Sequence, residues 1–222
     1  MGGLIPLGDA SRRTTRVPVV TALLIAVNAF VFILELQGGD EFVSAYAAIP
    51  AAITSGHQWS TLITSMFLHG SWMHIIGNMV FLWAFGPEIE DAMSPLRFSV
   101  FYLAGGLVAM LAQVMAVPSS TVPNLGASGA IAAVMGAFLV TYPRDRMRSL
   151  LVIFIFVRVT FIPAALLIVV WFLIQLLNAG SVANVQTGGV AYLAHIGGCI
   201  FGAVTARWFE DPQRVAEQRS SE

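Results

Sequence analysis

Six long apolar blocks, broken only by short polar segments, constrain this chain more than any other feature of its sequence. They run from about Val17 to Leu36, Ser71 to Phe85, Leu96 to Val117, Ser128 to Tyr142, Phe161 to Asn178 and Val190 to Trp208. A bilayer core ~30 Å thick is crossed by ~20 helical residues, and these blocks approach or reach that length. The chain is 57% hydrophobic and 10% charged over 222 residues. A soluble domain of that size could not bury so much apolar surface and stay dispersed. The expected fold is all-α and integral to a membrane. It is a six-transmembrane-helix bundle over 17–208, with an N-terminal tail 1–16 and a C-terminal tail 209–222. The first 16 residues are polar and basic, and the block after them is too long for a signal-peptide core, so no cleavable leader is expected. Leu150–Val157 is apolar but too short to span. It reads as an interfacial strand or loop, or as an extension of the fifth helix.

The arginines orient the bundle. Arg12, Arg13 and Arg16 precede the first block and Arg97 lies between the second and third. Arg144, Arg146, Arg148 and Arg158 lie between the fourth and fifth, and Arg207, Arg214 and Arg219 end the chain. With six spans all of these fall on one side, whereas the other side carries Asp40 and Glu41 and no arginine. The positive-inside rule makes that side, and both termini, cytoplasmic. One span more or fewer would scatter the arginines.

Chemistry-capable residues collect at the opposite helix ends. The second block enters from outside through His69-Gly-Ser-Trp-Met-His74-Ile-Ile-Gly-Asn78, the fourth through Gly126-Ala-Ser128-Gly129, and the sixth through Ala194-His195-Ile-Gly-Gly198. At 1.5 Å per residue, Ser128, His195, His74 and Asn78 lie within roughly 10 Å of those ends. His74 and Asn78, four apart, share a helix face. Each residue alone has an ordinary reading: serine as a packing residue, histidine as an interfacial group, asparagine as interhelical glue. Together at one depth they point to a site, because polar groups inside spans are costly. His195 can supply the base that Ser128 needs to become a nucleophile. Asn78, His74 and the free N–H groups at the start of the fourth block are candidate donors to an oxyanion. A zinc mechanism would need His-Glu-x-x-His, which is missing, and an aspartyl mechanism would need paired Asp residues inside spans. His69 and His74 are expected to have no nearby carboxylate, Glu88 and Glu90 lying ~20 Å further along the same helix, and no metal and no cofactor is expected. A Cys199 nucleophile with His195 is conceivable, but deep in a helix Cys199 reads as packing. The net charge of −1 does not point to nucleic acid, and none is expected as a partner.

These stretches resemble the rhomboid family of intramembrane serine proteases. The matching residues are His69-x4-His74-x3-Asn78 followed by Gly86 and Glu90, then Gly126-Ala-Ser128-Gly129, then His195-x2-Gly198-x3-Gly202. They lie in the family's order over roughly Trp59 to Trp208. The resemblance implies Ser128 as nucleophile and His195 as general base in a dyad, with His74 and Asn78 lining the oxyanion hole. It implies structural or packing roles for His69, Glu90, Gly126, Gly129, Gly198 and Gly202, the last two bringing the sixth helix against the fourth with Gly129 and Gly136 facing them. Two positions depart from the pattern. Members often carry an aromatic four residues after the nucleophile, stacked on the histidine; here it is Ala132, and another ring could substitute. An outer-loop Trp-Arg pair is replaced by Trp59-Ser60.

The activity implied is hydrolysis, near the outer face, of transmembrane segments of other proteins after small residues such as alanine. Substrates would enter from the lipid bilayer beside the fifth span at Trp171 and Phe172. A fourth span of ~15 residues is only ~22 Å long, which would recess Ser128 at the bottom of a water-filled cavity bordered by Pro118 and Pro123. The expected location is multi-pass in the plasma (inner) membrane of a prokaryote. Two rival readings are a catalytically silent rhomboid-like protein that binds transmembrane helices, and a small-solute transporter with a polar midplane site.

Overall fold

The computed structural model describes residues 2–12, 14–182 and 191–220. Arg13 and the expected start of the sixth span at Val190 lie outside them. In chain order the elements are β1 (Gly2–Asp9), α1 (Val19–Tyr46), α2 (Pro50–Thr54), α3 (Thr61–Thr64), α4 (Trp72–Met93), α5 (Pro95–Ala116), α6 (Ser128–Thr141), β2 (Arg146–Ile153), β3 (Phe156–Pro163), α7 (Ala164–Val182), α8 (Tyr192–Phe209) and α9 (Pro212–Ser220). Six of them, α1 and α4 through α8, correspond to the six apolar blocks. Among the described residues, α1 and α5 are each long and apolar enough to cross a membrane on their own.

The core is apolar, and so is much of the outer surface. Large apolar side chains stand exposed on the outer helices, among them Phe30, Trp83, Leu96, Leu177 and Trp208. The buried stripe of α1 instead contains Thr21, Asn28 and Glu35, at seven-residue spacing, beside Phe32. Seven residues make about two turns, so the polar groups share one inward face. Helix α6 is central, buried from Gly129 through Phe138. Its closest neighbour is α8, and small residues set the approach. A Cβ added at Gly198 would collide with the Gly129 carbonyl oxygen, one at Gly202 with that of Ala133, and one at Gly136 with that of Cys199. In a bilayer, where lipid is as apolar as leucine, such close backbone contact is what favours association.

Several boundaries differ from the sequence reading. Helix α7 starts at Ala164, not Phe161, because Phe156–Pro163 pairs antiparallel with Arg146–Ile153 in a hairpin whose Phe154 has φ +53. Leu150–Val157 is strand and turn, the first of the two readings given for it and not an extension of the fifth helix: the end of β2, the turn at Phe154 and Ile155, and the start of β3. Helix α4 continues to Met93 through the interior Pro87, and α1 continues beyond Leu36 to Tyr46 with a break at Gly39 (φ 57, ψ −146). The segments read as tails are folded. Strand β1 pairs antiparallel with β2, its register shifting between Pro6 and Gly8, where a proline without an N–H is tolerated. Helix α9 packs against α4.

One end of the bundle is bound together by charge. Arg12 pairs with Asp145 and lies 4.1 Å above the Tyr142 ring. Asp91 accepts from Thr15 N at 2.6 Å and pairs with Arg16 at 3.3 Å. Glu210 accepts from Thr141 Oγ1 at 2.7 Å and from Arg207 at 2.8 Å, while Arg97 donates to its carbonyl at 3.1 Å. Glu90 receives the backbone N–H groups of Val20 and Thr21 at 2.8 and 2.7 Å, and the Thr21 hydroxyl at 2.7 Å. A carboxylate there satisfies orphan donors at the start of α1 and opposes the positive end of its dipole. Gly86, one turn earlier, lets α1 in: a Cβ there would lie 2.9 Å from Thr21 Oγ1.

Candidate active site

At the other end of the bundle the chain enters α6 through a tight turn. Gly126 has φ +124, a region open to glycine and costly for other residues. Its N–H donates to Ser65 O at 2.9 Å, which anchors the turn on the 3-10 segment Ser65–Phe67. Ser128 is then the first residue of α6, and its side chain makes no cap. The hydroxyl points instead to α8, where Ser128 Oγ lies 2.7 Å from His195 Nε2. His195 sits in the first turn of α8 and is 7% exposed.

The ring of His195 is held from a third helix. Gln175 Oε1 on α7 lies 2.8 Å from His195 Nδ1. The Trp171 ring lies 5.5 Å from the imidazole, centroid to centroid, at an interplanar angle of 37°. Trp171 therefore fills the stacking place that Ala132 leaves without a ring. The sequence reading names Trp171 only as lying beside substrate entry, not as a ring against His195, and does not name Gln175. A lone amide in an apolar block was the available signal, since polar side chains in spans are expensive to keep.

His74 and Asn78 stand on α4 across from Ser128. A Cβ built on Gly126 would lie 2.8 Å from His74 Nε2 and 3.6 Å from Asn78 Nδ2, so both groups face the same point above the turn. Asn78 is buried, and among the described residues its Nδ2 has no acceptor. The first N–H groups of α6 are free of intrahelical partners by geometry. Ser128, His195, His74, Asn78, Trp171 and Pro123 all line one cavity of about 760 Å³, which extends between α4, α6 and α7 to Met135. Phe172 and Pro118 are not among its lining residues.

His69 lies behind His74, with ring centroids 5.1 Å apart, and is fully buried. Its backbone N–H donates to Glu35 Oε2 at 2.8 Å. The expectation that His69 has no carboxylate nearby is therefore corrected. The acid comes from α1, 34 residues away in sequence, which spacing within one helix cannot reveal. Cys199 is buried against α6 and its carbonyl faces Gly136.

A serine hydroxyl on an imidazole, beside unpaired donors in a cavity, is an arrangement capable of acyl transfer. Comparison with known proteins agrees with the motif reading at the family level. The rhomboid domain model matches residues 56–210. The chain is 31% identical over 193 residues to the rhomboid protease GluP of Bacillus subtilis, covering 85% of this chain and 34% of that protein. It is 30% identical over 201 residues to the mitochondrial rhomboid protein 1 of Saccharomyces cerevisiae, covering 88% and 55%. It is 30% identical over 203 residues to the bovine mitochondrial presenilin-associated rhomboid-like protein, covering 88% and 48%. The chain thus spans about a third to a half of the length of these relatives. With the domain matched over most of its length, and with Ser128, His195, His74 and Asn78 lining one cavity, this chain belongs to the rhomboid family of integral membrane proteins.

Proposed function

We propose that this chain is a serine endopeptidase that cleaves transmembrane segments of other membrane proteins, with Ser128 as nucleophile and His195 as general base. The observation that carries the reading is the 2.7 Å contact between Ser128 Oγ and His195 Nε2 at the head of the cavity. In the first half-reaction Oγ attacks the scissile carbonyl carbon while its proton passes to Nε2. The carbonyl oxygen becomes an oxyanion facing Asn78 Nδ2, His74 and the free N–H groups of α6. The C–N bond then breaks, and the proton on Nε2 moves to the leaving amine. Water from the cavity attacks the acyl ester by the same route in reverse, returning Ser128 and releasing the carboxylic acid.

The bundle is part of the same proposal. Six helices cross the bilayer, with the arginine-rich end and both termini in the cytoplasm and the cavity opening outward. Support comes from the arginine contacts collected at one end and from the apolar residues exposed on the outer helices. Helix α6, 14 residues long, rises only ~21 Å and so recesses Ser128 below a ~30 Å core. A substrate helix enters between α4 and α7, unwinds locally and presents a small residue such as alanine at the scissile bond. A prokaryotic plasma membrane is the location carried in this reading; the mitochondrial relatives match the chain over as large a share as the bacterial one and do not favour it.

The test is cleavage of a model transmembrane substrate in detergent by the wild type and Ser128→Ala, with fluorophosphonate labelling alongside. Cleavage and labelling by the wild type, both abolished in Ser128→Ala at unchanged melting temperature, are expected. Failure of the folded wild type to label would make it a silent helix-binding relative. Activity surviving in Ser128→Ala would remove the serine mechanism.

A further inference from the structure

Gln175 is the only amide or charged side chain between Ala164 and Leu177, in the most apolar stretch of α7. It is 6% exposed. A primary amide in such a place costs free energy unless both its ends are bonded. Its two bonds together fix its orientation. The Nε2 end lies 3.3 Å from the Trp171 carbonyl oxygen, which can only accept. The NH2 group must therefore face that carbonyl, and Oε1 must face the imidazole. The partner at 2.8 Å, His195 Nδ1, then has to carry a hydrogen, because two lone pairs at that distance would repel. In a neutral ring this leaves Nε2 unprotonated, and Nε2 is the atom that faces Ser128 Oγ at 2.7 Å.

We propose that Gln175 is a positioning residue for the general base, a role that rests on the Ser128–His195 reading. It selects the tautomer with hydrogen on Nδ1 and holds the ring in line with the serine hydroxyl. The opposite tautomer would aim an N–H at Oγ and could not take its proton. When Nε2 becomes protonated during attack, the Nδ1–H bond to Gln175 becomes charge-assisted and strengthens. The contribution therefore grows toward the transition state and is read in kcat rather than KM. Gln175 and Trp171, one turn apart on α7, together hold the imidazole from a helix other than the one bearing the nucleophile. Helix α7 also borders the cavity at Trp171, so the helix beside the substrate entry is the one that aligns the base.

The test uses Gln175→Leu, which keeps approximate volume and removes the acceptor, and Gln175→Glu, which keeps an acceptor. Each full-length protein is purified in detergent with ¹⁵N-histidine. In the wild type, His195 is expected to show a protonated Nδ1 and an unprotonated Nε2. In Gln175→Leu it should show a mixture of tautomers. The kcat should then fall by ~10–100-fold, the order expected for a charge-assisted hydrogen bond, with KM within ~2-fold and fluorophosphonate labelling slowed in parallel. Gln175→Glu should retain the Nδ1–H tautomer and most of the lost rate. The proposal is overturned if Gln175→Leu keeps the wild-type tautomer, whatever happens to its rate or stability. It is equally overturned if Leu and Glu variants lose the same activity. Should the wild type prove unable to cleave or label, the dyad reading fails, while the tautomer signal still decides whether Gln175 sets the ring.

Discussion

Replacing Asn78 with alanine should slow turnover by ~10²–10³ while leaving the fold about as stable as before. The two effects separate because of the state of the Asn78 amide. Its side chain is buried, and among the described residues Nδ2 has no acceptor. A buried unpaired donor costs ~1–3 kcal/mol, so removing it returns stability that offsets the packing lost with the side chain. The net change in unfolding free energy should stay within ~1 kcal/mol. In the transition state the same N–H meets a developing negative charge in a site shielded from bulk water. Loss of one such donor typically costs ~2.7–4 kcal/mol of barrier, which is the predicted rate factor. His74 faces the same point above Gly126, so the double variant Asn78→Ala/His74→Ala should lose less than the product of the single losses if both donors serve one oxyanion. The assay is single-turnover and steady-state cleavage of a transmembrane substrate in detergent, normalised to folded protein, with thermal unfolding measured on the same samples. Labelling at Ser128 should survive in the single variants. A variant with wild-type kcat per folded molecule and a melting temperature several degrees lower would mean that Asn78 ties α4 to a neighbour, and its oxyanion role would be dropped.

Two further outcomes concern the charged end and the orientation. The Asp9 carboxyl is pushed up to about 7 by burial and by the neighbouring Asp145 carboxyl, with the Ser11 N–H and Arg12 opposing; an acid whose folded value is raised stabilises the fold below its unfolded value near ~4 and loses that contribution as pH rises through the folded one. The melting temperature should therefore fall between pH ~4 and pH ~7, and Asp9→Asn, which mimics the protonated form beside Asp145 and Arg12, should flatten that slope and raise the melting temperature at pH 8; an unchanged slope would show that Asp9 is not the titrating group. A reporter fused after Glu222 should be active only in the cytoplasm, and activity confined to the outside would invert the proposed topology.

How much of this was readable in the sequence depended on the range over which each signal acts. The six apolar helices were legible because hydrophobicity is summed over ~20 residues, and the placing of Ser128, His195 and the His74–Asn78 pair near helix starts because position along a helix follows from 1.5 Å per residue. Boundaries were less so. Phe161–Pro163 continues the apolar run of the helix that follows, and only the pairing of Phe156–Pro163 with Arg146–Ile153, a tertiary fact, makes it strand. The terminal segments carried no hydrophobic period, yet they fold because Arg12, Arg16 and Gln218 find Asp145, Asp91 and Tyr142 on other elements. The same limit explains the site residues that were missed. Glu35 reaches His69 across 34 positions and Gln175 reaches His195 across 20. Both were nonetheless visible in one respect, as polar side chains in apolar blocks where a partner is needed to offset their burial. Ala132 adds a complementary signal, a missing ring where the family pattern expects one. A polar residue present without an evident partner and a ring absent beside the base mark the two halves of one contact. They meet at His195, where α7 carries Trp171 over the imidazole and Gln175 against Nδ1.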